Sequence, residues 1–175
     1  MSLLELLRRR RSCRKFSEKE VAQSVIENII EGVMTAPSSK NTRSTRLAVV
    51  RDRTVIESLG KTRTFGSSFL SEAPAVIVVM GDESAGDLWR ENCSISATIL
   101  QLLAEDMGVG SCWVHINDRL HNDDKPEEES AEDYIKRLIP QCAPYRIECM
   151  VAIGYPAAPP KPRKDTDDSD KWFEV

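Results

Sequence analysis

Ala75-Val76-Ile77-Val78-Val79-Met80 is the segment of this sequence that says most about the fold. It is apolar without interruption, which is typical of a strand that is buried on both of its faces. Such a strand needs a layer of other structure on each side. The sequence therefore predicts a sheet that lies between two layers of helices, with an α+β or α/β architecture.

Further elements are predicted around this strand from apolar periodicity and capping residues. Strands are expected at 47–50, 111–116 and 146–153, and helices at 3–10, 17–35, 54–60 and 87–107, with a short helix after Ser130. Ser2 with Glu5, and Ser17 with Glu20, have the spacing of capping boxes. In the long helix 87–107, the side chains predicted to face the core are Leu88, Ile95, Ile99, Leu102 and Leu103.

Composition narrows the class of protein. The 175 residues suit one compact domain, and no apolar run approaches the roughly 20 residues that a membrane helix needs. The segment 1–7 does not resemble a signal peptide, so a cytoplasmic location and no membrane partner are expected. The five cysteines contain no Cys-x-x-Cys pair and only two histidines are present, so neither disulfides nor a zinc site is expected.

Charge is unevenly distributed along the chain. The net charge is −4, yet the first fifteen residues contain Arg8, Arg9, Arg10, Arg11, Arg14 and Lys15. A second basic group lies near the end, at Lys161, Arg163 and Lys164. Two local basic clusters in an acidic protein favour a bound small anion over a nucleic-acid surface.

Four motifs carry the functional prediction, each with a simpler alternative. The run 10–16, Arg-Arg-Ser-Cys-Arg-Lys-Phe, offers phosphate ligands, but alone it is more often a solvated face. Residues 36–41, Ala-Pro-Ser-Ser-Lys-Asn, offer donors to a planar heterocycle or form a plain turn. Residues 108–116, Gly-Val-Gly-Ser-Cys-Trp-Val-His-Ile, are not a dinucleotide fingerprint, because a helix precedes them and a strand follows. The last motif is a second candidate for binding phosphate, or simply a charged tail; it consists of Gly154-Tyr155-Pro156 with Lys161 and Arg163.

Together, the order and spacing of these motifs resemble the FMN-dependent nitroreductase family over roughly residues 3–164. The resemblance implies a three-layer α/β/α sandwich with a small mixed sheet, in an intertwined homodimer. One domain would cover residues 1–164, and an extended tail, 155–175, would cross the partner subunit. The activity implied is electron transfer from NAD(P)H through FMN to a nitroaromatic, a quinone or a flavin, with donor and acceptor using the same face in ping-pong order.

The resemblance also implies roles for individual residues. Arg10 and Ser12, with Lys161 and Arg163, would hold the FMN phosphate, and Arg14 would lie near N1 and O2 of the ring and tune it. No side chain is implied as an obligatory acid or base. The full cofactor-binding set is Arg10, Arg11, Ser12, Arg14, Pro37, Ser38, Ser39, Asn41, Trp113, His115, Ile116, Lys161 and Arg163.

Part of this set would act from elsewhere in the dimer or through the backbone. Pro37, Ser38, Ser39 and Asn41 would come from the other subunit. The backbone at His115 and Ile116 would approach N5 and O4, with Trp113 packed nearby. The side chain of His115 is open between a position turned away from the site and a proton donor.

Two departures from the family pattern, and two rival functions, accompany the resemblance. Asn41 is followed by Thr-Arg-Ser-Thr-Arg at 42–46 rather than x-Gln-Pro-Trp, and the stretch 64–69 has no amide or lysine.

A specialised flavin enzyme, such as a reductive dehalogenase or an oxygen-using flavin-consuming enzyme, is one rival function. The other is a non-enzymatic protein whose N-terminal arginines bind nucleic acid or an anionic partner. The cysteines Cys93 and Cys112 are expected to be packed residues rather than nucleophiles.

Overall fold

A computed structural model describes residues 2–125, 127–161 and 166–175 of the chain. In chain order, its helices and strands are α1 (Leu3–Arg9), α2 (Gln23–Met34), β1 (Thr45–Val50), α3 (Arg53–Leu59), β2 (Ala75–Gly81), α4 (Trp89–Asp106), β3 (Gly110–His115), α5 (Ala131–Leu138) and β4 (Arg146–Gly154). Short 3₁₀ turns join several of them. No helix in the described part of the chain is long and apolar enough to span a membrane.

The four strands form one sheet in the order β1-β2-β4-β3. All three pairings are antiparallel, with Ala75 opposite Ile153 and Trp113 opposite Val151. The expectation of a mixed sheet is therefore wrong for these strands, and among the described residues parallel pairing is confined to the bridge between Ser12 and Ser111. The alternation of helices and strands along the chain did not predict antiparallel pairing. A long connection can bring the next strand back in either direction.

The sheet separates two apolar cores, as its central strand predicts. Ala75, Ile77 and Val79 pack on one face with residues of α2 and α4. Val76 and Val78 pack on the other face with residues of α3 and α5. Every residue of β2 is buried. The three-layer helix–sheet–helix sandwich is thus confirmed.

The core-facing side of α4 differs from the prediction. Leu88 and Ile95 were expected to point inward, but they are 41% and 39% exposed. The buried side of α4 instead carries mostly small and polar residues, namely Trp89, Asn92, Cys93, Ser96, Ala97, Leu100 and Ala104. Ile99 and Leu103 pack against the core as predicted. The small side chains beside them let the helix lie close to the sheet.

The start of α2 also differs from the prediction. The expected capping box at Ser17 and Glu20 is wrong, because the helix begins at Gln23 and its N-cap residue, Ala22, makes no side-chain hydrogen bond. The Ser17 N–H instead donates to the carbonyl oxygen of Tyr155 at 2.8 Å. Pairing with the end of β4 keeps this segment extended, whereas the capping box of α1 at Ser2 and Glu5 is confirmed.

Candidate functional site

The basic segment 10–16 lies along the edge of the sheet, beside β3 and the end of β4. The Cys13 N–H donates to the carbonyl oxygen of Ser111 at 2.8 Å, and the Ala157 N–H donates to that of Lys15 at 3.0 Å. A Cβ at Gly110 would lie 2.8 Å from the Cβ of Cys13. Glycine is therefore needed at position 110 for the close approach of two backbones, while Gly108, with φ of +73°, makes the turn that ends α4.

A cleft of about 630 Å³ opens where this segment meets the tail that follows β4. Its lining residues are Arg10, Arg11, Ser12, Cys13, Arg14, Lys15, Glu105, Gly110, Pro156, Ala158, Pro160 and Lys161. We call this space the arginine cleft. The fold brings together two basic groups that lie at opposite ends of the chain. Arg163, the other predicted cation of the second group, lies outside the described residues.

The cations of this region differ in whether their charge is already paired. Arg9 binds the carboxylate and the carbonyl oxygen of Glu105, each at 2.8 Å. Arg11 donates to the carbonyl oxygens of Arg8 and Arg10 at 2.9 and 2.7 Å, which secures the end of α1. The side chains of Arg10 and Lys161 have no hydrogen-bond or ion-pair partner among the described residues. The side chains of Arg14 and Lys15, which also line the cleft, likewise have no such partner. These cations are therefore available for an anion, whereas Arg11 is largely occupied.

Arg14 differs from the other unpaired cations because its guanidinium contacts an aromatic ring. Its central carbon lies 5.8 Å from the centroid of the Phe69 ring. Its charge also reaches the Cys112 thiol. Burial raises the pKa of Cys112, while Arg14, Ser12 and Arg10 oppose that rise. Burial likewise raises the pKa of Cys13 and raises that of Cys93 to about 12. These thiols are therefore neutral at ordinary pH, as expected for packed cysteines rather than nucleophiles.

The predicted residues of the second motif do not reach the arginine cleft of their own chain. Pro37 and Ser38 line a separate cavity of about 500 Å³. Its other lining residues are Ile30, Val33, Met34, Ala36, Arg43, Thr45, Arg46, Leu47 and Ser96. Ser39 and Asn41 belong to the same loop, in the turn Ser39–Asn41. One chain therefore has two separate cavities, a basic one and one lined by both apolar and polar side chains.

The loop that carries the second motif has a strained backbone. Lys40, Asn41 and Arg43 have φ of 50°, 54° and 48°, in the left-handed region that such residues seldom adopt. The buried side chain of Asn92 holds the loop, accepting from the Ser39 N–H at 2.9 Å and donating to Ser44 Oγ at 2.9 Å. Strain of this kind is maintained mainly at functional sites. The prediction from sequence missed Asn92, although a polar residue on the inner side of α4 was a usable signal.

The far end of β3 carries the remaining predicted residues. The rings of Trp113 and His115 stack with centroids 6.3 Å apart. Ile116 is fully buried, and its N–H already donates to the carbonyl oxygen of Glu148 at 3.0 Å. The carbonyl oxygen of His115 accepts from Arg63 at 3.3 Å. The proposed approach of this backbone to a cofactor stays a prediction, since both groups have partners within the fold.

Two further residues at this end were missed by the prediction from sequence. Arg63 is one, and its signal was weak, because a single arginine in a loop has many explanations. Glu148 is the other, and it is 5% exposed in the middle of the sheet. Its signal was clear, because it is the one acid within the apolar strand Arg146–Gly154. His115 Nδ1 lies 3.7 Å from its Oε1.

Comparison with known proteins agrees with this geometry. The model of the Nitroreductase family matches residues 7–62 and 57–155. A protein named "Putative NADH dehydrogenase/NAD(P)H nitroreductase" from Methanothermobacter thermautotrophicus is 31% identical over 98% of this chain and 85% of its own length. One of the same name from Archaeoglobus fulgidus is 30% identical over 97% and 92%.

A solved structure shares the fold as well. The FMN-dependent nitroreductase from Clostridium difficile superposes with a TM-score of 0.87 and is 33% identical, covering 99% of this chain and 98% of its own. The family model spans most of the chain, including the arginine motif, the strained loop and β3. The chain therefore belongs to the nitroreductase family.

Proposed function

We propose that this chain is an oxidoreductase that binds FMN in the arginine cleft and passes electrons from NAD(P)H to a small acceptor. The single observation that carries the proposal is the convergence of Arg10, Lys161 and Ser12 on one cleft, with both cations unpaired in the described part of the chain. The similar structure from Clostridium difficile is named as FMN-dependent, and the archaeal relatives are named as NAD(P)H nitroreductases.

The residues present fit the phosphate of FMN. A phosphate monoester carries up to two negative charges and several acceptor oxygens, and the cleft offers unpaired cations, Arg10 and Lys161 among them, and the Ser12 hydroxyl. Among the described residues that line the cleft, Glu105 is the one acid, and it is already paired with Arg9. Arg163 would add a further cation. FMN, when bound, supplies the hydride chemistry, and the chain's own residues bind and orient it.

Arg14 has a different role in this proposal. It shares the motif with Arg10 but contacts the aromatic ring of Phe69 rather than an acid. We place it beside the flavin ring, where a cation favours the more negative, reduced form over the neutral one. Arg14 then acts on the reduction potential more than on affinity.

A second copy of the chain is proposed to complete the site. The loop with Pro37, Ser38, Ser39 and Asn41 does not reach the arginine cleft of its own chain, so the same loop of a partner would close it. The outer surfaces of α1 and α4, which pack against each other, support an interface. Large apolar side chains are exposed there, namely Leu3, Leu4, Leu7, Leu88 and Ile95. Trp172 and Phe173 of the tail are exposed too, at 70% and 84%.

We propose a ping-pong order, in which donor and acceptor use the same face of the flavin in turn. NAD(P)H would bind, reduce the site and leave before a nitroaromatic, quinone or flavin takes the electrons. Parallel lines in double-reciprocal plots of rate against NAD(P)H, at several acceptor concentrations, are the expected result. Intersecting lines would mean that both substrates bind together.

Absorbance of the purified protein tests the cofactor. The expected result is a yellow protein with flavin bands near roughly 370 and 450 nm, set by the cofactor itself, or one that added FMN turns yellow. A colourless protein that FMN leaves colourless would contradict the proposal. It would instead favour the non-enzymatic alternative, in which the arginines bind nucleic acid or an anionic partner.

A further inference from the structure

Glu148 is a buried acid that the proposed function does not yet use. It occupies a bulge of β4, since Val79 pairs with Cys149 and Met80 pairs with Ile147, which leaves Glu148 without a partner on β2. Bulges re-aim a side chain and occur often beside active sites. Here Glu148 Oε1 accepts from Ser94 Oγ at 3.2 Å, while Oε2 has no hydrogen-bond partner among the described residues.

His115 connects this buried acid to solvent. Its Nδ1 faces Glu148 Oε1 at 3.7 Å, and its side chain is 36% exposed. His115 ends β3, the same edge strand against which Ser12 pairs at Ser111. His115 lies four residues after Ser111 in the strand, which is about 13 Å at the usual rise. The ring therefore lies further along the edge that also borders the arginine cleft.

The surroundings of Glu148 are buried, and the acid itself is 5% exposed. An isolated carboxylate in an apolar interior is costly, and a polar partner beside it lowers that cost. The two thiols that feel the charge of Glu148 are neutral, because burial raises the pKa of Cys93 and of Cys149, and Glu148 raises both further. The nearby cation Arg63 donates to the His115 carbonyl oxygen. The half-exposed ring of His115 is therefore the path between the buried carboxylate and solvent.

We propose that His115 and Glu148 form a proton-holding pair in which His115 donates a proton to the electron acceptor and Glu148 positions and recharges it. The inference rests on the proposed function. Reduction of a quinone to a hydroquinone takes two electrons and two protons. The electrons and one proton derive from NAD(P)H, which leaves as NAD(P)⁺. The second proton comes from the pair, which is then reprotonated by water through His115.

The test compares acceptors that differ in their need for protons. The enzyme with bound FMN is reduced anaerobically by one equivalent of NADH and mixed with menadione, a quinone, or with ferricyanide, which takes electrons and no proton. His115→Asn and Glu148→Gln are each expected to slow reoxidation by menadione about 100-fold, the scale of general acid catalysis. Reoxidation by ferricyanide is expected to stay within twofold.

His121→Asn is the matched control, because His121 is the chain's other histidine and hydrogen-bonds to the Thr62 carbonyl oxygen instead. It should leave both rates unchanged. Equal slowing with both acceptors, or no slowing with menadione, would overturn the inference alone. A wild-type protein that reduces neither acceptor would remove the proposed function, and this inference with it.

Ring ¹⁵N NMR gives a readout that needs no turnover. With two histidines in the chain, the ring signals are assigned by comparison with His121→Asn. Glu148→Gln is expected to shift the ring nitrogens of His115 and to leave those of His121 in place. Unchanged His115 signals would show that the carboxylate does not hold the ring, and would overturn the pair.

Discussion

Replacing Arg10 by alanine is the sharpest test of the phosphate site. The Arg10 side chain has no partner of its own among the described residues, so its loss removes no contact that the described fold uses. The cost should fall on the ligand alone. A hydrogen bond to a charged group contributes about 1.5–3 kcal/mol, which corresponds to an FMN dissociation constant about 10- to 150-fold higher.

Arg11→Ala is the control, because it removes the same charge from the neighbouring position. The Arg11 guanidinium is occupied by the carbonyl oxygens of Arg8 and Arg10. Its loss should therefore loosen the end of α1 and lower the melting temperature slightly. The FMN dissociation constant should change less than about threefold, since this guanidinium is already bound to backbone carbonyl oxygens and salt screens the rest of its charge.

Titration of the apo-protein with FMN, followed by quenching of flavin fluorescence, measures both variants. The reasoning would be refuted if Arg10→Ala bound FMN as tightly as the wild type. It would also be refuted if both variants weakened binding equally at 0.15 M salt, because the cleft would then attract FMN through its total charge rather than through one placed guanidinium.

Four further expectations concern the flavin, the backbone contact, the buried thiol and the assembly. Arg14→Gln should lower the FMN midpoint potential by several tens of millivolts, where about 30 mV equals roughly 1.4 kcal/mol. It should weaken FMN binding less than Arg10→Ala does. An unchanged potential together with loss of FMN would make Arg14 a phosphate ligand. Gly110→Ala places a Cβ 2.8 Å from that of Cys13 and should cost about 1–3 kcal/mol in denaturant unfolding. Burial raises the pKa of Cys93 from 9.0 to about 12, so the neutral thiol contributes stability below pH 9 that is lost as the pH rises toward 12. Over that pH range, the free energy of unfolding should fall less steeply in Cys93→Ala than in the wild type. Wild-type protein should sediment as a dimer at micromolar concentration, whereas Ile95→Glu, or deletion of residues 155–175, should weaken the dimer and lose FMN; a monomer that binds FMN stoichiometrically would contradict the shared site.

Local patterns predicted those features that depend on neighbours in the chain. The apolar run 75–80 predicted a doubly buried strand, and Ser2 with Glu5 predicted the start of α1, because burial on both faces and capping are each encoded within a few residues. The motif Arg10-Arg11-Ser12 predicted a basic site for the same reason. Its joint role with Lys161 was an implication of the family resemblance, and in the structure both line the arginine cleft.

Other features were decided by contacts between distant segments. Ser17 and Glu20 fit a capping box, yet pairing with Tyr155 holds this segment extended, because a backbone hydrogen bond to the end of β4 outweighs a local preference. The apolar period of α4 predicted the inward positions of Ile99 and Leu103 but not the exposure of Leu88 and Ile95. Contacts with the sheet select a buried side that is made mostly of small and polar residues.

The layers, the basic motif and the family could be read from the sequence, since they follow from periodicity and from residues close together in the chain. Folding was needed to show that Arg11 is occupied while Arg10 has no partner among the described residues, and that Asn92 restrains the strained loop. It also placed Glu148 beside His115, through a bulge that no pattern in β4 announces. The physical reason is the same in each case: the charge and the hydrogen bonds available to a side chain depend on residues that folding brings near it, which can be far away in the chain.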